Sequence, residues 1–433
     1  MKYLRNVFLT SVICLLFMAT AISQEKQTEN SRFVQDSVNS RSGTTLAKTD
    51  EKNTQKSPFF NFKNGLGFAT PDSSYSINIR FRIQSRALMN TISDEDLAPE
   101  SFEARIRRCR LSFMGHVYNP KWSYYLQLSF SRGDMDWSVT DVTTQNVSPN
   151  IVRDAIIYYK PIKNLQLGFG QTKLPGNRQR VVSSSALQFY DRSPVNSNFT
   201  LDRDFGMFAN YSIHSGKFKT IIKTAVSSGE GRNSNSSNTG LAYTGRLEIL
   251  PLGDFTDGGD YFEGDVAREE KLKLSFAAGY HFNDLAVRTQ GQLGKDLYEP
   301  RSYHVYLADF LMKYKGIALS AEYIRRISDK SPVTTNPTGA KRNLITGDGI
   351  NTQLSYCFAS RWELAARHSL VTPQKDNYST LNQVNQYGLG ITNYIMKHKV
   401  KAQFNVFYTE NRNLATQKNL NNYFAVFQVE LGI

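Results

Sequence analysis

From Tyr75 to the end of the chain, hydrophobic and polar residues alternate almost one by one. In YSINIRFRIQ (75–84), every second residue from Tyr75 to Ile83 is apolar or aromatic, and the residues between them are polar. The segment WSYYLQLSFS (122–131) repeats this alternation, and so do other segments further along the chain. Successive side chains of a β-strand point to opposite faces, so the pattern predicts strands that each have one apolar and one polar face.

The predicted strands have about ten residues each, which matches the roughly 9–11 residues that a strand needs to cross a membrane. A soluble β-sandwich would alternate in the same way, so the connections between the strands must decide between the two classes. The sixteen predicted strands are 75–84, 103–113, 122–131, 151–160, 165–171, 204–213, 217–227, 241–250, 271–282, 302–314, 316–325, 350–358, 361–370, 384–394, 399–408 and 422–433.

Short and long connections alternate along most of the chain. Links such as Asn119-Pro120 and Ala359-Ser360 are tight, whereas links such as 133–150 and 173–203 are long. This asymmetry predicts an all-β fold, a 16-stranded antiparallel transmembrane β-barrel with short periplasmic turns and long extracellular loops. The link at 251–270 is long where a short turn is expected, so it indicates either a structured periplasmic insertion or an error in the strand count.

The first 57 residues differ from the rest of the chain. Residues 1–23 combine a short basic start, an uncharged apolar run and the small-residue site Ala21-Ile22-Ser23, which is the pattern of a secretory signal peptide. A membrane anchor is the alternative, but the apolar run is short for a span of about 20 residues. Residues 24–57 are polar and are predicted to form a flexible linker, so the barrel is assigned to residues 58–433.

The net charge indicates the kind of partner. The 433 residues carry a formal net charge of +14, which loss of Lys2 and Arg5 with the signal peptide lowers to +12. Such a charge favours an anionic partner, which leaves nucleic acid, lipopolysaccharide, a membrane surface and small anions. The 27 Phe and 23 Tyr fit the aromatic belts of a membrane barrel, so outer-membrane lipid and lipopolysaccharide are expected neighbours and nucleic acid is not.

In a barrel of this kind, the polar face of each strand lines the lumen. That face is predominantly cationic here, although Glu248 and Glu363 interrupt it. Rings of Arg and Lys lower the barrier for anions and repel cations; the alternative is that these side chains pair with lumen carboxylates and only stiffen the wall. The candidate pore-lining residues on strands are Arg80, Arg82, Arg108, Arg110, Lys217, Lys219, Lys223, Arg361, Arg367, Lys399 and Lys401.

The loop 171–204 is the third predicted outer loop and the longest that follows a matched strand pair. Loops longer than about 12–15 residues without secondary structure are usually functional. The loop is therefore predicted to be functional, with Lys173, Arg178 and Arg180 as candidate anion-binding residues. The run Ser183-Ser184-Ser185 offers hydroxyl donors to an oxyanion, and a plain solvated loop is the alternative.

The segment EARIRRCRLSF (103–113) has four arginines in a short space, which on a helix would form a basic surface. As a strand it divides by parity, so that Arg108 and Arg110 point into the lumen. Arg105 and Arg107 are predicted to lie near the outer rim, outside the regular alternation.

Six motifs occur in a fixed order along the chain. They are ARIRRCRLSFMG (104–115), KWSYYLQLSF (121–130), VRDAIIYYKPIKNLQLGFGQTKLPG (152–176), RDFGMFANY (203–211), GRLEILPLGDF with YFEGDVAREEKLKLSFAAGY (245–280) and ADFLMKYKGIALSAEYI (308–324). In order and spacing they resemble the phosphate-selective porin O/P family of outer-membrane porins. The resemblance implies a 16-stranded, usually trimeric barrel that passes anions through a basic lumen narrowed by an inward-folded loop. Phosphate or polyphosphate selectivity belongs to only some members of the family.

The predicted function is therefore passive diffusion of small anions, phosphate or polyphosphate among them, across the outer membrane of a Gram-negative bacterium. A non-conducting receptor or adhesin that binds an external polyanion through its basic loops is the alternative. No enzyme is predicted, because the lipid-facing His368 has no convincing Ser partner. No cofactor or metal is predicted either, since the histidines lack ligand spacing. The acidic run from Asp254 to Asp265 does not match an EF-hand and is interpreted as a solvated periplasmic segment.

Cys109 and Cys357 fall on opposite faces of their predicted strands, the first towards lipid and the second towards the lumen. We therefore expect both thiols to remain free in the folded barrel, because their side chains point apart. Thiol titration after unfolding without reductant measures this. A lumen-accessible reagent that labelled Cys109 and spared Cys357 would show that the strand register is wrong by one residue.

Overall fold

The structure is a computed structural model and describes residues 59–61, 65–131, 151–234 and 238–433. The predicted signal peptide and linker lie outside these residues. In the part of the chain that is described, no helix is long and apolar enough to cross a membrane.

Two short strands, β1 (Phe59–Asn61) and β2 (Leu66–Ala69), precede a ring of longer ones. The ring consists of β3 (Ser76–Thr91), β4 (Pro99–Val117), β5 (Asn119–Ser129), β6 (Val152–Ile162), β7 (Leu165–Lys173), β8 (Arg203–Ser215), β9 (Phe218–Ser227), β10 (Ala242–Leu250), β11 (Lys273–Arg288), β12 (Asp296–Tyr314), β13 (Ile317–Ser328), β16 (Gly347–Cys357), β17 (Trp362–Pro373), β18 (Gln383–His398), β19 (Val400–Arg412) and β20 (Asn422–Gly432). A separate hairpin pairs β14 (Val333–Thr335) with β15 (Lys341–Asn343).

Four short helices lie in the connections. They are α1 (Arg178–Val181), α2 (Pro194–Phe199) and two 3₁₀ helices at Thr256–Tyr261 and Lys375–Asn377. Both α-helices belong to the connection between β7 and β8, and the first 3₁₀ helix belongs to the connection between β10 and β11.

The last strand closes the ring on the first. Strand β20 pairs antiparallel with β3 over nine positions, from Phe424 opposite Asn90 to Gly432 opposite Arg82. The result is a closed, 16-stranded antiparallel β-barrel. The predicted fold class is confirmed, and every predicted strand overlaps one strand of the ring.

The strands expose apolar side chains on the outside of the barrel and bury polar side chains inside it, which is the reverse of a soluble protein. On neighbouring strands, Leu247 and Phe276 point outward and are 40% and 45% exposed, whereas Arg246 and Glu248 point inward and are 2% exposed. This is the arrangement expected of a barrel with lipid outside and polar groups inside.

The two cysteines are free and follow this rule. Cys109 pairs with the outward Ile83, and Cys357 pairs with the inward Glu363, so the predicted parities are confirmed. The Cys357 side chain is only 1% exposed, and Arg268 donates a hydrogen bond to the Cys357 carbonyl. A reagent in the lumen is therefore not expected to reach it freely.

The connection between β10 and β11, residues 251–272, enters the barrel from the short-turn end. We call it the insertion. Phe255 is buried in a cluster with Ile221, Leu250 and Leu311. Asp260, Glu263, Asp265 and Glu269 are also buried, at 1–8% exposure. The long link is thus a structured insertion, and the predicted strand count is right. The expectation of a solvated segment is wrong, because wall side chains cover the segment inside the barrel.

Phe255→Ala is expected to loosen the insertion, because removal of a buried aromatic side chain costs about 3–5 kcal/mol. Hydrogen exchange of the Phe262 N–H, which donates to the Gly259 carbonyl at 3.2 Å, measures the local opening. Leu252→Ala in the same insertion is the control, since Leu252 is 39% exposed. Equal exchange rates in the two variants would contradict the assigned anchor.

Candidate functional site

The connection between β7 and β8 crosses the lumen. We call residues 174–202 the lumen loop. Eight of its apolar side chains are almost completely covered, at 0–1% exposure, and they are Leu174, Val182, Ala186, Leu187, Phe189, Val195, Phe199 and Leu201. The wall of a polar lumen offers few apolar side chains, so those of the loop pack largely against one another. Helix α2 also packs against β13, β16 and β17 on the inner wall.

The first part of the lumen loop reaches the inner face of β11, β12 and β13. The Arg178 guanidinium donates to Asp309 at 2.6 Å and to the Ser275 hydroxyl at 2.9 Å. The Asn177 amide donates to Glu322 at 3.2 Å. The loop leaves the wall at β7, so these contacts carry it to the other side of the ring.

The second part of the lumen loop runs along the inner face of β18, β19 and β20. Lys401 donates through Nζ to the carbonyls of Ser185 and Leu187 at 2.9 and 2.5 Å. The Tyr190 N–H donates to Asn405 Oδ1 at 2.8 Å, and the Tyr190 ring meets Phe407 edge to face. The loop is therefore fixed at both halves, through backbone atoms as well as side chains.

Three arginines of the adjoining wall converge on one carboxylate of the lumen loop. Asp191 accepts from Arg86 at 3.2 Å, from Arg107 at 3.1 Å and from Arg108 at 2.9 Å. We call these residues, with Arg82 and Arg110, the wall cluster. Arg82 and Arg110 both donate to the Ser184 hydroxyl of the loop, at 2.8 and 3.1 Å.

The sequence predicts Arg107 near the outer rim, outside the regular alternation, but the structure places it on β4 in contact with Asp191 of the lumen loop. Gln84 pairs with Arg108 while the next residue, Ser85, pairs with Ile106, so Arg107 is the extra residue of a β-bulge. A bulge lets two successive side chains turn to the same side. Arg86 was missed because the predicted strand stopped at residue 84; the polar parity of that strand, extended by two residues, would have found it.

A second group of cations lies where the lumen loop leaves and rejoins the wall. We call it the mouth cluster, and it consists of Arg153, Lys173, Arg180, Arg192, Arg203 and Arg232. Within it, Asp154 accepts from Arg203 at 2.9 Å, and Asp202 contacts Arg180 and Arg203. Lys173 donates to the carbonyls of Val181 and Val182 at 3.0 and 3.2 Å and so fastens α1.

The other predicted pore residues divide into three groups. Lys219 and Lys223 face the lumen and pair with Asp254 and Glu248 at 2.6 and 3.0 Å. Arg367 donates to the Asp191 carbonyl at 2.9 Å, and Arg80 is exposed on β3. The structure places three residues in short turns instead of on lumen-facing strand positions, because the strands begin one residue later than predicted; these are Lys217, Arg361 and Lys399.

Burial and neighbouring charges together shift the pKa of Arg180, Asp191 and Arg192 in the lumen loop. Burial, and then repulsion by Arg192, Arg203, Arg153 and Arg232, lowers the pKa of Arg180 well below its usual range. Burial and the nearby Arg108 lower the pKa of Arg192 to about 10. Burial alone would raise the pKa of Asp191, but Arg108, Arg107 and Arg86 outweigh it and hold that pKa well below its usual range.

The sign of the Asp191 shift gives its pH dependence. A carboxylate whose pKa is lower in the folded state stabilises it fully above the unfolded value of about 3.9. That contribution is lost only as the pH falls from there towards the folded pKa. Docking of the lumen loop through Asp191 is therefore expected to be independent of pH near neutrality and to weaken below about pH 4.

Asp191→Asn is expected to destabilise the folded barrel by about 3–5 kcal/mol, because it leaves several buried arginines without their carboxylate. Thermal or denaturant unfolding in lipid vesicles measures the free energy of unfolding. Asp257→Asn is the matched control, since Asp257 and its partner Lys397 are 70% and 66% exposed; such a change is worth at most about 0.5 kcal/mol. Similar losses in both variants would contradict the role of Asp191.

Several solved outer-membrane proteins have a similar architecture, whereas no curated protein matches the sequence. Among solved structures, the outer-membrane channel DcaP of Acinetobacter baumannii superposes with a TM-score of 0.53 at 11% identity, covering 85% of this chain and 99% of that one. A loop-deletion form of OmpT from Vibrio cholerae gives a TM-score of 0.50 at 12% identity, covering 82% of this chain and 99% of that one.

OmpF of Salmonella typhi, solved with daunomycin, also gives a TM-score of 0.50 at 12% identity, covering 83% of this chain and 98% of that one. These likenesses bear on the fold. The sequence profile described as phosphate-selective porin O and P matches residues 77–431, which is nearly the whole barrel. The chain therefore belongs to the phosphate-selective porin O and P family and is an outer-membrane channel.

Proposed function

We propose that this barrel lets small anions diffuse passively across the outer membrane, with phosphate or a related oxyanion as the favoured solute. The observation that carries the proposal is the mouth cluster, where Arg180 lies so close to Arg153, Arg192, Arg203 and Arg232 that all four repel its charge. Burial lowers the pKa of Arg180 most, and repulsion by these arginines lowers it further. The positive potential that causes this repulsion would attract an entering anion.

The distribution of charge around the ring supports a path along one wall. Between β9 and β12, cations are matched by carboxylates, as in the contacts of Arg246 with Glu248 and Asp309 at 2.7 and 2.6 Å. Along β3 to β8, arginines and lysines outnumber the carboxylates. On that side Arg80 is exposed and Ser123 and Tyr125 are half-buried, so solvent reaches the wall beneath the lumen loop.

The polar groups suited to an oxyanion are of two kinds. Guanidinium groups bind planar or tetrahedral oxyanions through several directed donors, and the wall cluster and the mouth cluster together provide them on both sides of the lumen loop. Ser184 already accepts from two arginines, so its hydroxyl hydrogen is directed away from them. Ser183 and Ser185 bond to each other through their hydroxyls at 2.9 Å.

We propose a homotrimer as the assembly, since trimers are usual in the family that the sequence resembles. The long loops and part of the apolar outer wall would then contact neighbouring copies, and the rest of the wall would contact lipid. Lipopolysaccharide is the proposed contact of the outer rim, where its phosphates would meet the basic side of the chain.

Single-channel recording in a salt gradient tests the proposal. We expect a reversal potential that indicates anion preference and a chloride current that phosphate blocks. Arg180→Gln is expected to weaken that block about fivefold, because one unit charge at contact distance is worth about 1 kcal/mol even in bulk water.

Arg361→Gln is the matched control, since Arg361 lies in an exposed turn. A cation-preferring reversal potential would contradict the proposal. A folded barrel without conductance would instead favour a receptor or adhesin.

A further inference from the structure

We infer that the insertion holds the lumen loop in place from the short-turn end, chiefly through Glu263. The insertion would thereby set the width of the passage. This inference rests on the proposed function, because it assigns a role to the insertion within the same pore.

The insertion is anchored to the wall through its central residues. Lys313 on β12 donates through Nζ to the carbonyls of Gly259 and Phe262 at 2.7 and 3.0 Å. Asp265 accepts from the Gly316 N–H at 2.7 Å and from the Glu269 N–H at 3.0 Å. These contacts fix the backbone of the insertion against the short turn between β12 and β13.

Glu263 projects from this fixed backbone to the lumen loop. Its N–H donates to the Ala186 carbonyl at 2.8 Å. Its carboxylate accepts from the Gln188 N–H at 3.0 Å and from the Gln179 side-chain amide at 3.3 Å. One residue of the insertion therefore satisfies both backbone and side-chain groups of the loop, and it is itself only 8% exposed.

A further contact joins the two segments beside Glu263. Arg178 of the lumen loop donates to the Asp260 carbonyl of the insertion at 2.8 Å. The cavity between the insertion, the lumen loop and β12 to β16 has a volume of about 20 Å³, which is room for about one water molecule. Solutes larger than water therefore do not fit between these elements, and we assign the passage to the opposite wall.

The lumen-loop segment that Glu263 holds, from Ala186 to Gln188, lies beside residues that contact the charged wall of the passage. Ala186 and Gln188 lie between Ser184 and Asp191, which both contact the wall cluster. A shift of this segment would move both residues against Arg82, Arg108 and Arg110. The insertion thus affects the charged wall indirectly, through the position of the lumen loop.

Glu263→Ala tests the inference in planar bilayers. A hydrogen bond to a charged group contributes enough free energy that its loss should raise the population of the released loop about tenfold. We expect excursions of the single-channel current to become about tenfold more frequent and the anion preference to fall. Glu263→Gln keeps one carbonyl acceptor and is expected to recover part of the wild-type behaviour.

Glu270→Ala is the matched control, because Glu270 lies in the same insertion and is exposed. It removes the same charge and is expected to leave the current unchanged. If it disturbs the current as Glu263→Ala does, the effect is one of net charge and the inference is overturned.

A spin label at Ser183, which is exposed on the lumen loop, gives a readout independent of conduction, in protein whose native cysteines are replaced by serine. We expect the label to become more mobile in Glu263→Ala and to remain as in wild type in Glu270→Ala. Unchanged mobility in Glu263→Ala overturns the inference, whatever the currents show. A wild-type barrel that prefers cations overturns the proposed function instead, while the label still tests the contact. If Glu263→Ala does not fold, the single-channel current and the mobility of the label are both measured on Glu263→Gln.

Discussion

Closure of the backbone hydrogen-bond network is the constraint on which the rest of the molecule depends. In hydrocarbon, an unpaired N–H or carbonyl costs several kcal/mol, so a sheet can cross a membrane only as a closed ring. Strand β20 covers β3 from Arg82 to Asn90, and β2 covers its beginning from Ser76 to Ile79. Between these two ranges, the Ile433 N–H donates to the Phe81 carbonyl at 3.0 Å. The free edge of the first strand is thus satisfied by residues from both ends of the described chain.

Once the ring is closed, its interior becomes a polar compartment that must be filled or left wet. The lumen loop fills part of it and removes many arginines from water. Buried charges are tolerated only when partners surround them, which explains why Asp191 is shared among several arginines and why Arg246 contacts both Glu248 and Asp309. Near β10 to β12, Arg246 contacts two carboxylates directly, whereas near β6 to β8 the cations of the mouth cluster crowd around Arg180. Cations occur on both sides of the pore, and the two sides differ in how these cations are arranged.

The two segments inside the barrel come from opposite ends and depend on each other. The lumen loop supplies apolar side chains that pack among themselves and against the inner wall, and the insertion supplies backbone carbonyls and the Glu263 carboxylate. Neither segment has regular secondary structure over most of its length, so each needs external partners for its backbone groups. Their mutual contact meets that need for both, and it gives the barrel a tightly packed side and a wetter side.

The sequence by itself determined the strands and their faces, since a period of two is a local property that each strand carries in its own residues. It also indicated which connection is long enough to enter the lumen, and it placed Arg108, Arg110 and Arg178 correctly towards the interior. Only the tertiary structure decided which charges meet. The bulge at Arg107 depends on pairing with β3, and Asp191 becomes a shared carboxylate only because the loop crosses to that wall. The burial of Asp260 and Glu263 likewise arises from residues distant in sequence, so no local pattern in the acidic insertion distinguishes it from a solvated segment.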